Sequence, residues 1–335
     1  MDLVTTYMGL TLKNPLIASA SPLTGKLTDL RRLEDNGAAA VILPSMFEEQ
    51  IEQEVHRYER LANVATNSFP EVGSFFPKPS FYRVGPHRYL ELIRRASRSM
   101  EIPVIASLNG TSLSGWVEYA RLIEEAGAKA IELNVYFLPT DTSLDGIDVE
   151  LRYVDIVRAV RDAVSLPFAV KISPYFSSLG DMASRLVEAG ADALVLFNRF
   201  YQPDLDVAQL SVITNLELST PAEIRLPLLW IGLLAGKIDA SIAASTGVES
   251  TAEVVKYLLV GADAVMTTSS LLRHGVEHMG ELLRGLERWC EGRGFESIGS
   301  FKGMLSQRRT RNPQGFERAN YIRILQEFDP VQAGG

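Results

Sequence analysis

The stretch GAAAVILPS (37–45) recurs in form three more times, as GAKAIELNV (127–135), GADALVLFN (190–198) and GADAVMTTS (261–269). Each reads Gly-Ala-x-Ala and then turns apolar. A glycine there suits the end of a preceding helix, where a left-handed backbone costs it little. The small alanines let the chain turn tightly into a strand. Other short apolar runs stand between these: LIASA after Pro15, VIASLN after Pro103, FAVKIS after Pro167, and ASIAAST from Ala240. That makes eight strand candidates, separated by helical segments at 112–126, 149–164, 178–189, 221–237 and 250–259. Strands alternating with amphipathic helices imply βαβ units and a parallel sheet. Paired as four quarters, they predict an α/β fold, a closed (β/α)8 TIM barrel. An open doubly wound sheet is the alternative, and it gives no reason for the four-fold recurrence.

Residues 4–12 read as a small hairpin closing the bottom of the barrel. At 335 residues and 46% hydrophobic, the chain has enough for one large barrel core, so 1–335 is expected to be a single domain. Two connections are long, 46–85 (containing FPEVGSFFPKPSF) and 137–148. Both follow a strand on the face where barrel enzymes place catalytic loops, so both are expected to be active-site loops.

With 33 basic against 41 acidic residues the net charge is −8, and no basic face stands out, which argues against nucleic acid as a partner. The single cysteine, Cys290, excludes an intrachain disulfide framework or an iron–sulfur cluster built from this chain alone; it reads as a small packing residue. No signal peptide and no apolar run of membrane-spanning length is apparent, giving the expectation of a cytoplasmic protein with no membrane partner. His274 and His278 are spaced i, i+4, but no third ligand accompanies them, so no metal is expected. EEQIEQE (48–54) reads as a solvated helix face, and RRTRNP (308–313) as a short basic patch.

A period of two sorts each strand into outward and inward residues. In AIELNVY, Ile131, Leu133 and Val135 face outward, leaving Glu132, Asn134 and Tyr136 inside. In PFAVKIS the inward set is Ala169, Lys171 and Ser173; in VIASLN it includes Ser107 and Asn109. A lysine inside a barrel needs an anion. It is either a structural ion pair, with Glu132 for instance, or a group that reaches a cofactor or substrate at the mouth together with Asn134. Asn198 extends the same polar ring. The last two strands end in Thr246-Gly247 and in Thr267-Thr268-Ser269-Ser270. In barrels the loops after strands seven and eight commonly bind phosphate, through backbone N–H groups and hydroxyls.

These residues resemble the dihydroorotate dehydrogenases of the soluble class over nearly the whole chain. The resemblance is carried by NPLIASASPL (14–23), IELNV (131–135), VKISPYF (170–176), LSTPAEIRLPLLWI (218–231), TGVES (246–250), TTSSLL (267–272) and SIGSFKGMLSQ (297–307). It implies an FMN oxidoreductase acting on a CH–CH bond, in that family dihydroorotate to orotate in pyrimidine biosynthesis. FMN would lie across the mouth with its phosphate at Thr246, Gly247, Thr268 and Ser269. Ser19, Ala20 and Ser21 would line the flavin, Asn109 and Asn134 would contact it, and Lys171 would sit beside its N1/C2 edge. Asn134 and Asn198 would hold the substrate. By analogy the protein would be a homodimer using a soluble electron acceptor or a partner subunit.

The chain also departs from that pattern. The proton-accepting Cys or Ser expected three residues after Asn134 is Phe137, which cannot accept a proton. Pro44 stands where the family has a lysine, PSFYRVGPH (79–87) lacks the family's N-x-x-G-x-x-N, and Thr246 and Thr268 stand where phosphate-loop glycines are usual. Tyr136, beside the missing base, is a candidate proton donor; Thr140, Thr142 and Ser143 are weaker ones. With a pKa near ~10, a tyrosine gives a proton more readily than it takes one at neutral pH. The readings left open are therefore an ene-reductase with another substrate, a barrel lyase or synthase whose substrate carries phosphate, and a flavin-binding homologue without catalysis.

Overall fold

The computed structural model describes residues 1–52, 86–213, 215–316 and 318–327. Eight parallel strands close into a barrel: β3 (Leu16–Ala18), β4 (Ala40–Phe47), β5 (Val104–Asn109), β6 (Ala130–Asn134), β7 (Phe168–Ile172), β8 (Ala193–Leu196), β11 (Ser241–Ala244) and β12 (Ala264–Thr267). These are the runs expected from the sequence; between β8 and β11 a separate antiparallel pair, β9 (Asp204–Asp206) with β10 (Ser211–Ile213), stands outside the barrel. Between them lie the helices α1 (Leu27–Asp35), α2 (His87–Ser99), α3 (Leu113–Ala126), α4 (Gly146–Ala163), α5 (Leu179–Glu188), α6 (Arg225–Leu234) and α7 (Thr251–Val260). After β12 come α8 (Ser269–His274), α9 (His278–Arg293), α10 (Ile298–Phe301) and α11 (Arg318–Glu327).

The helix expected at 221–237 divides into a 3-10 turn, Pro221–Ile224, and then α6, which ends at Leu234. α4 begins at Gly146, earlier than expected, because the Asp145 side chain caps it by accepting from the Ile147 N–H at 2.8 Å. The expected loop 46–85 starts later than its bounds: β4 runs to Phe47 and residues 48–52 are helical, while 53–85 lie outside the described residues.

The alternation along the strands separates two cores. Outward residues such as Val41, Leu133, Val170 and Leu194 pack beneath the helices. Inward residues such as Ile17, Ile42, Ile105 and Met266 fill the barrel. The N-terminal hairpin, β1 (Thr5–Tyr7) with β2 (Leu10–Leu12), belongs to the second set: Tyr7, Met8 and Leu12 pack with the inward residues. This plug gives the repeat a further meaning. The last alanine of each Gly-Ala-x-Ala (Ala40, Ala130, Ala193, Ala264) is fully buried in the inner cluster, and only a small side chain there leaves room for Tyr7. The repeat's glycines, Gly37, Gly127, Gly190 and Gly261, all carry positive φ, between 92° and 115°.

β4 departs from regular alternation. Its register against β5 shifts between Ile42 and Ser45, around Pro44. A proline has no N–H for the ladder and is accommodated at such a bulge. The extra residue brings Ser45, rather than Pro44, opposite Ser107. The Tyr89 hydroxyl of α2 satisfies the freed backbone, accepting from the Ser107 N–H at 2.8 Å and donating to its carbonyl at 3.0 Å.

Candidate active site

Polar side chains gather where the strands end. In the parallel registers Ser45 faces Ser107, Ser107 faces Glu132, and Asn134 faces Lys171. They form a chain across the mouth. Ser45 Oγ lies 2.8 Å from Ser107 Oγ, Asn134 Nδ2 donates to Ser45 Oγ at 3.2 Å, and Asn198 Nδ2 donates to Asn134 Oδ1 at 2.5 Å. Lys171 Nζ stands 3.7 Å from Glu132 Oε1, its side chain 14% exposed and that of Glu132 only 1%. Both the ion pair and the reach to the mouth are thus present in one side chain.

A cavity of about 300 Å³ opens beside this chain. It brings together Ser19, Ala20, Ser21, Lys171, Asn198, Thr246, Gly247, Thr268 and Ser269 from five separate stretches of sequence. Asn134 adjoins it through Asn198, and Asn109 is buried at the end of β5. Tyr136 is elsewhere. It lies beyond β6, is 38% exposed, and lines a neighbouring cavity of about 440 Å³ with Phe200 and Tyr201. Arg199, Leu216 and Glu217 line both cavities, so the two adjoin.

The loops that end β11 and β12 share one wall of the first cavity. Thr246 and Gly247 are consecutive residues at positive φ, 83° and 70°, an unusual backbone for a threonine that costs about 1–3 kcal/mol. The buried Tyr257 hydroxyl holds the Thr246 carbonyl at 2.8 Å. A side chain at Gly247 would meet the Thr220 carbonyl at 2.7 Å, so glycine is required for this loop to pack on the 3-10 turn. Among the described residues Thr268 Oγ1, also on the wall, is buried without a hydrogen-bond partner. A buried hydroxyl left without a partner costs about 1–3 kcal/mol, which a ligand oxygen would recover.

Ser219 was not singled out in the sequence. Its hydroxyl accepts from the Gly247 N–H at 3.1 Å and lies 2.9 Å from Ser269 Oγ, tying the loops after β11 and β12 together. Its only local signal is the capping-box pattern of the following Thr220-Pro-Ala-Glu223 turn. Arg273 fastens the same region, bonding Glu249 at 2.5 Å and the carbonyls of Leu218 and Ser219. Burial opposes the Glu249 charge, but hydrogen bonds from His274 and Arg273 outweigh it and hold that carboxyl below its usual range. His278 Nδ1 lies 2.8 Å from the Glu281 carboxylate and its Nε2 2.8 Å from the Glu249 carbonyl, both of them acceptors. The two histidines therefore serve the loop's hydrogen bonding, and among the described residues no group of three or more His, Cys, Asp or Glu could hold a metal ion.

Three more residues singled out in the sequence have defined surroundings. Glu48, read as part of a solvated face, is buried: its carboxylate accepts from the N–H groups of Thr111 and Ser112 and from the Ser112 hydroxyl at 2.6–3.0 Å. It holds the α3 N-cap Ser112, whose hydroxyl accepts from the Gly115 N–H at 2.9 Å, and ties the end of β4 to the loop after β5. Phe137, in place of a base, packs under the Arg152 guanidinium at 4.2 Å. Cys290 is buried, and burial raises its thiol to about 11, far from a nucleophile.

The dihydroorotate dehydrogenase family matches residues 2–289. The chain belongs to that family. A member from Methanothermobacter thermautotrophicus, the catalytic subunit of dihydroorotate dehydrogenase B (NAD(+)), is 27% identical over 310 residues, covering 90% of this chain and 98% of that one. The catalytic subunit of the same name from Thermoplasma acidophilum is 26% identical, over 90% of this chain and 98% of its own. The NAD-dependent dihydropyrimidine dehydrogenase subunit PreA of Escherichia coli K12 is 23% identical, over 91% of this chain and 77% of its own. As a member of the dihydroorotate dehydrogenase family, the chain is a flavin oxidoreductase acting on CH–CH groups. No described helix is long and apolar enough to cross a membrane.

Proposed function

We propose that the protein holds FMN at the barrel mouth and acts on a CH–CH or activated C=C bond, in the manner of the dihydroorotate dehydrogenase family but with an altered substrate side. The observation that carries this is the buried, unpartnered Thr268 Oγ1 in one cavity with Lys171 and the positive-φ pair Thr246-Gly247. Thr246, Gly247, Thr268 and Ser269 would take the phosphate; Ser19, Ala20 and Ser21 would line the ring, with Asn109 and Asn134 as further polar contacts. Bound FMN supplies the hydride chemistry. Lys171 places a positive charge where reduction builds negative charge, in a site too poor in water to screen it. Asn134 and Asn198 orient the substrate through their shared hydrogen bond.

The proton is the open part of the family's chemistry in this chain, since Phe137 offers none. Tyr136 favours a reductase reading. Its hydroxyl accepts from the Tyr201 N–H at 2.8 Å, which leaves its own proton free, and its ring meets Phe200 at 4.3 Å. An aromatic wall of this kind fits a flat or apolar substrate better than a small carboxylate. In this reading Tyr136 gives the proton to an activated double bond.

The test is direct. Purified protein should carry a flavin spectrum, and a colourless protein that gains none with added FMN would remove the flavin reading in favour of a lyase or synthase taking a phosphorylated substrate. Anaerobic dihydroorotate should bleach the flavin if the orthodox substrate is used. Bleaching by NADH but not by dihydroorotate would establish the reductase, and bleaching by no donor would point to a non-catalytic homologue. The relatives named as subunits make a partner subunit the first electron-transfer partner to seek, by co-purification, alongside a soluble acceptor and a homodimer.

A further inference from the structure

The residue behind Lys171 is harder to explain than Lys171 itself. Glu132 is the inward residue one step below the end of β6, and it is 1% exposed. Neither carboxylate oxygen has a hydrogen-bond partner among the described residues. Its ionic neighbour is Lys171 Nζ at 3.7 Å, beyond hydrogen-bond contact. The phenol of Tyr7, from the plug below, is likewise buried without a partner, and burial first and then the Glu132 charge push it up.

Stability does not account for a carboxylate at this point. A buried acid lacking hydrogen bonds costs several kcal/mol, and an ion pair of this length returns little of it. Glutamine or methionine would fill the same volume at lower cost. What the carboxylate does supply is a negative charge directly behind an ammonium that lines the cavity. In a poorly hydrated barrel interior such a charge is felt strongly by its neighbours. It holds the lysine to one position and reduces the positive potential presented to the mouth.

We propose that Glu132 is a positioning residue that anchors Lys171 from within the barrel and sets how strongly the site favours reduced over oxidised flavin. This rests on the flavin reading above. With Glu132 charged, the site stabilises the reduced cofactor less than a bare lysine would; neutralising it shifts the balance toward reduction. Lys171 is the group that meets the cavity, and Glu132 acts through it.

The experiment compares FMN-loaded wild type with Glu132→Gln, Glu132→Met and Glu132→Asp. Fluorescence titration with FMN comes first; failure of the wild type to bind would overturn the flavin reading, and this inference with it. The midpoint potential is then measured by dye-coupled titration. Glu132→Gln and Glu132→Met should raise it by about 30 mV, a tenfold change in the oxidised-to-reduced ratio of a two-electron couple. Glu132→Asp, which keeps the charge, should restore most of the wild-type value. Melting temperatures of the Gln and Met variants should equal or exceed that of wild type. FMN binding with unchanged potentials, or a lowered melting temperature with an unchanged potential, would overturn the inference alone and make Glu132 a structural residue.

Discussion

Asn198 Nδ2 donates to Asn134 Oδ1 across the barrel mouth at 2.5 Å, and Asn134 passes the chain on to Ser45 at 3.2 Å. Three side chains from separate βα units thus fix one another before any ligand arrives. Pre-set polar groups lower the ordering cost of binding. Asn198→Ala leaves Asn134 Oδ1 without its donor and loosens that set. We expect kcat/KM to fall 10- to 100-fold, with FMN affinity changed less than about threefold, the loss of one well-placed hydrogen bond. Steady-state kinetics and flavin titration check it.

Thr268 offers a test on the cofactor side that does not depend on the substrate. Valine has nearly the shape of threonine, so Thr268→Val removes only the partnerless hydroxyl. The apoprotein should be as stable or slightly more so, because the lost group made no bond. If a phosphate oxygen takes that hydroxyl, FMN affinity drops by about 1.5–3 kcal/mol, tenfold or more. A melt and a fluorescence titration separate the two effects.

Glu48 predicts a stability loss in acid. Burial opposes its charge, but hydrogen bonds from Ser112 and Thr111 outweigh that and lower its pKa in the folded protein. A lowered folded pKa means stability that is fully present above the unfolded value, near ~4.3 for glutamate, and lost as pH falls through the folded one. Wild type should therefore lose stability as pH drops below about 4, and Glu48→Gln should flatten this part of the curve. At neutral pH the same variant should cost about 1–3 kcal/mol by denaturant melt. Gly115→Ala should act on the same cap, since its Cβ would fall 2.2 Å from the Glu48 carboxylate.

The plug makes an opposite pair of predictions at one position. Tyr7 is 1% exposed and its ring fills the space over the small alanines of the barrel floor. Tyr7→Ala should cost about 3–5 kcal/mol through the cavity it opens. Tyr7→Phe keeps the ring and removes an unpartnered hydroxyl, so it should be neutral or stabilising by up to about 1 kcal/mol. Urea melts of the two variants check the sign of each.

These residues also show which parts of the molecule were legible before folding. The barrel was, because a period of two in the strands and the repeated Gly-Ala-x-Ala report local backbone needs. Lys171, Asn134 and the Ser/Thr loops stood out as polar residues in apolar strands. Ser45 did not, because the bulge at Pro44 shifts the alternation by one residue and turns it inward. Ser219 and Arg273 were hidden for another reason: each acts on a loop far away in sequence, and no local pattern marks such a bond. Glu48 looked like its solvated neighbours Glu49 and Glu52, yet it faces the start of α3, a relation only the tertiary fold creates.

Tyr136 gives the sharpest test of the substrate side. Its hydroxyl has an acceptor role filled by the Tyr201 N–H, so the proton is available to a ligand spanning the two adjoining cavities. Proton transfer by a positioned side chain contributes about 10²–10⁴-fold to a rate. Tyr136→Phe should therefore lower turnover with an activated alkene by at least about a hundredfold, while flavin content and flavin reduction by the electron donor stay near wild type. Because the variant also frees the Tyr201 N–H, Tyr201→Phe serves as a control that keeps this backbone bond and removes only the Tyr201 hydroxyl's bond to the Ile213 carbonyl; it should retain most of the turnover. Full activity in Tyr136→Phe would remove the tyrosine from the chemistry and leave the proton to water or to the hydroxyls of Thr140, Thr142 and Ser143, of which Ser143 already donates to Asp141 at 2.7 Å.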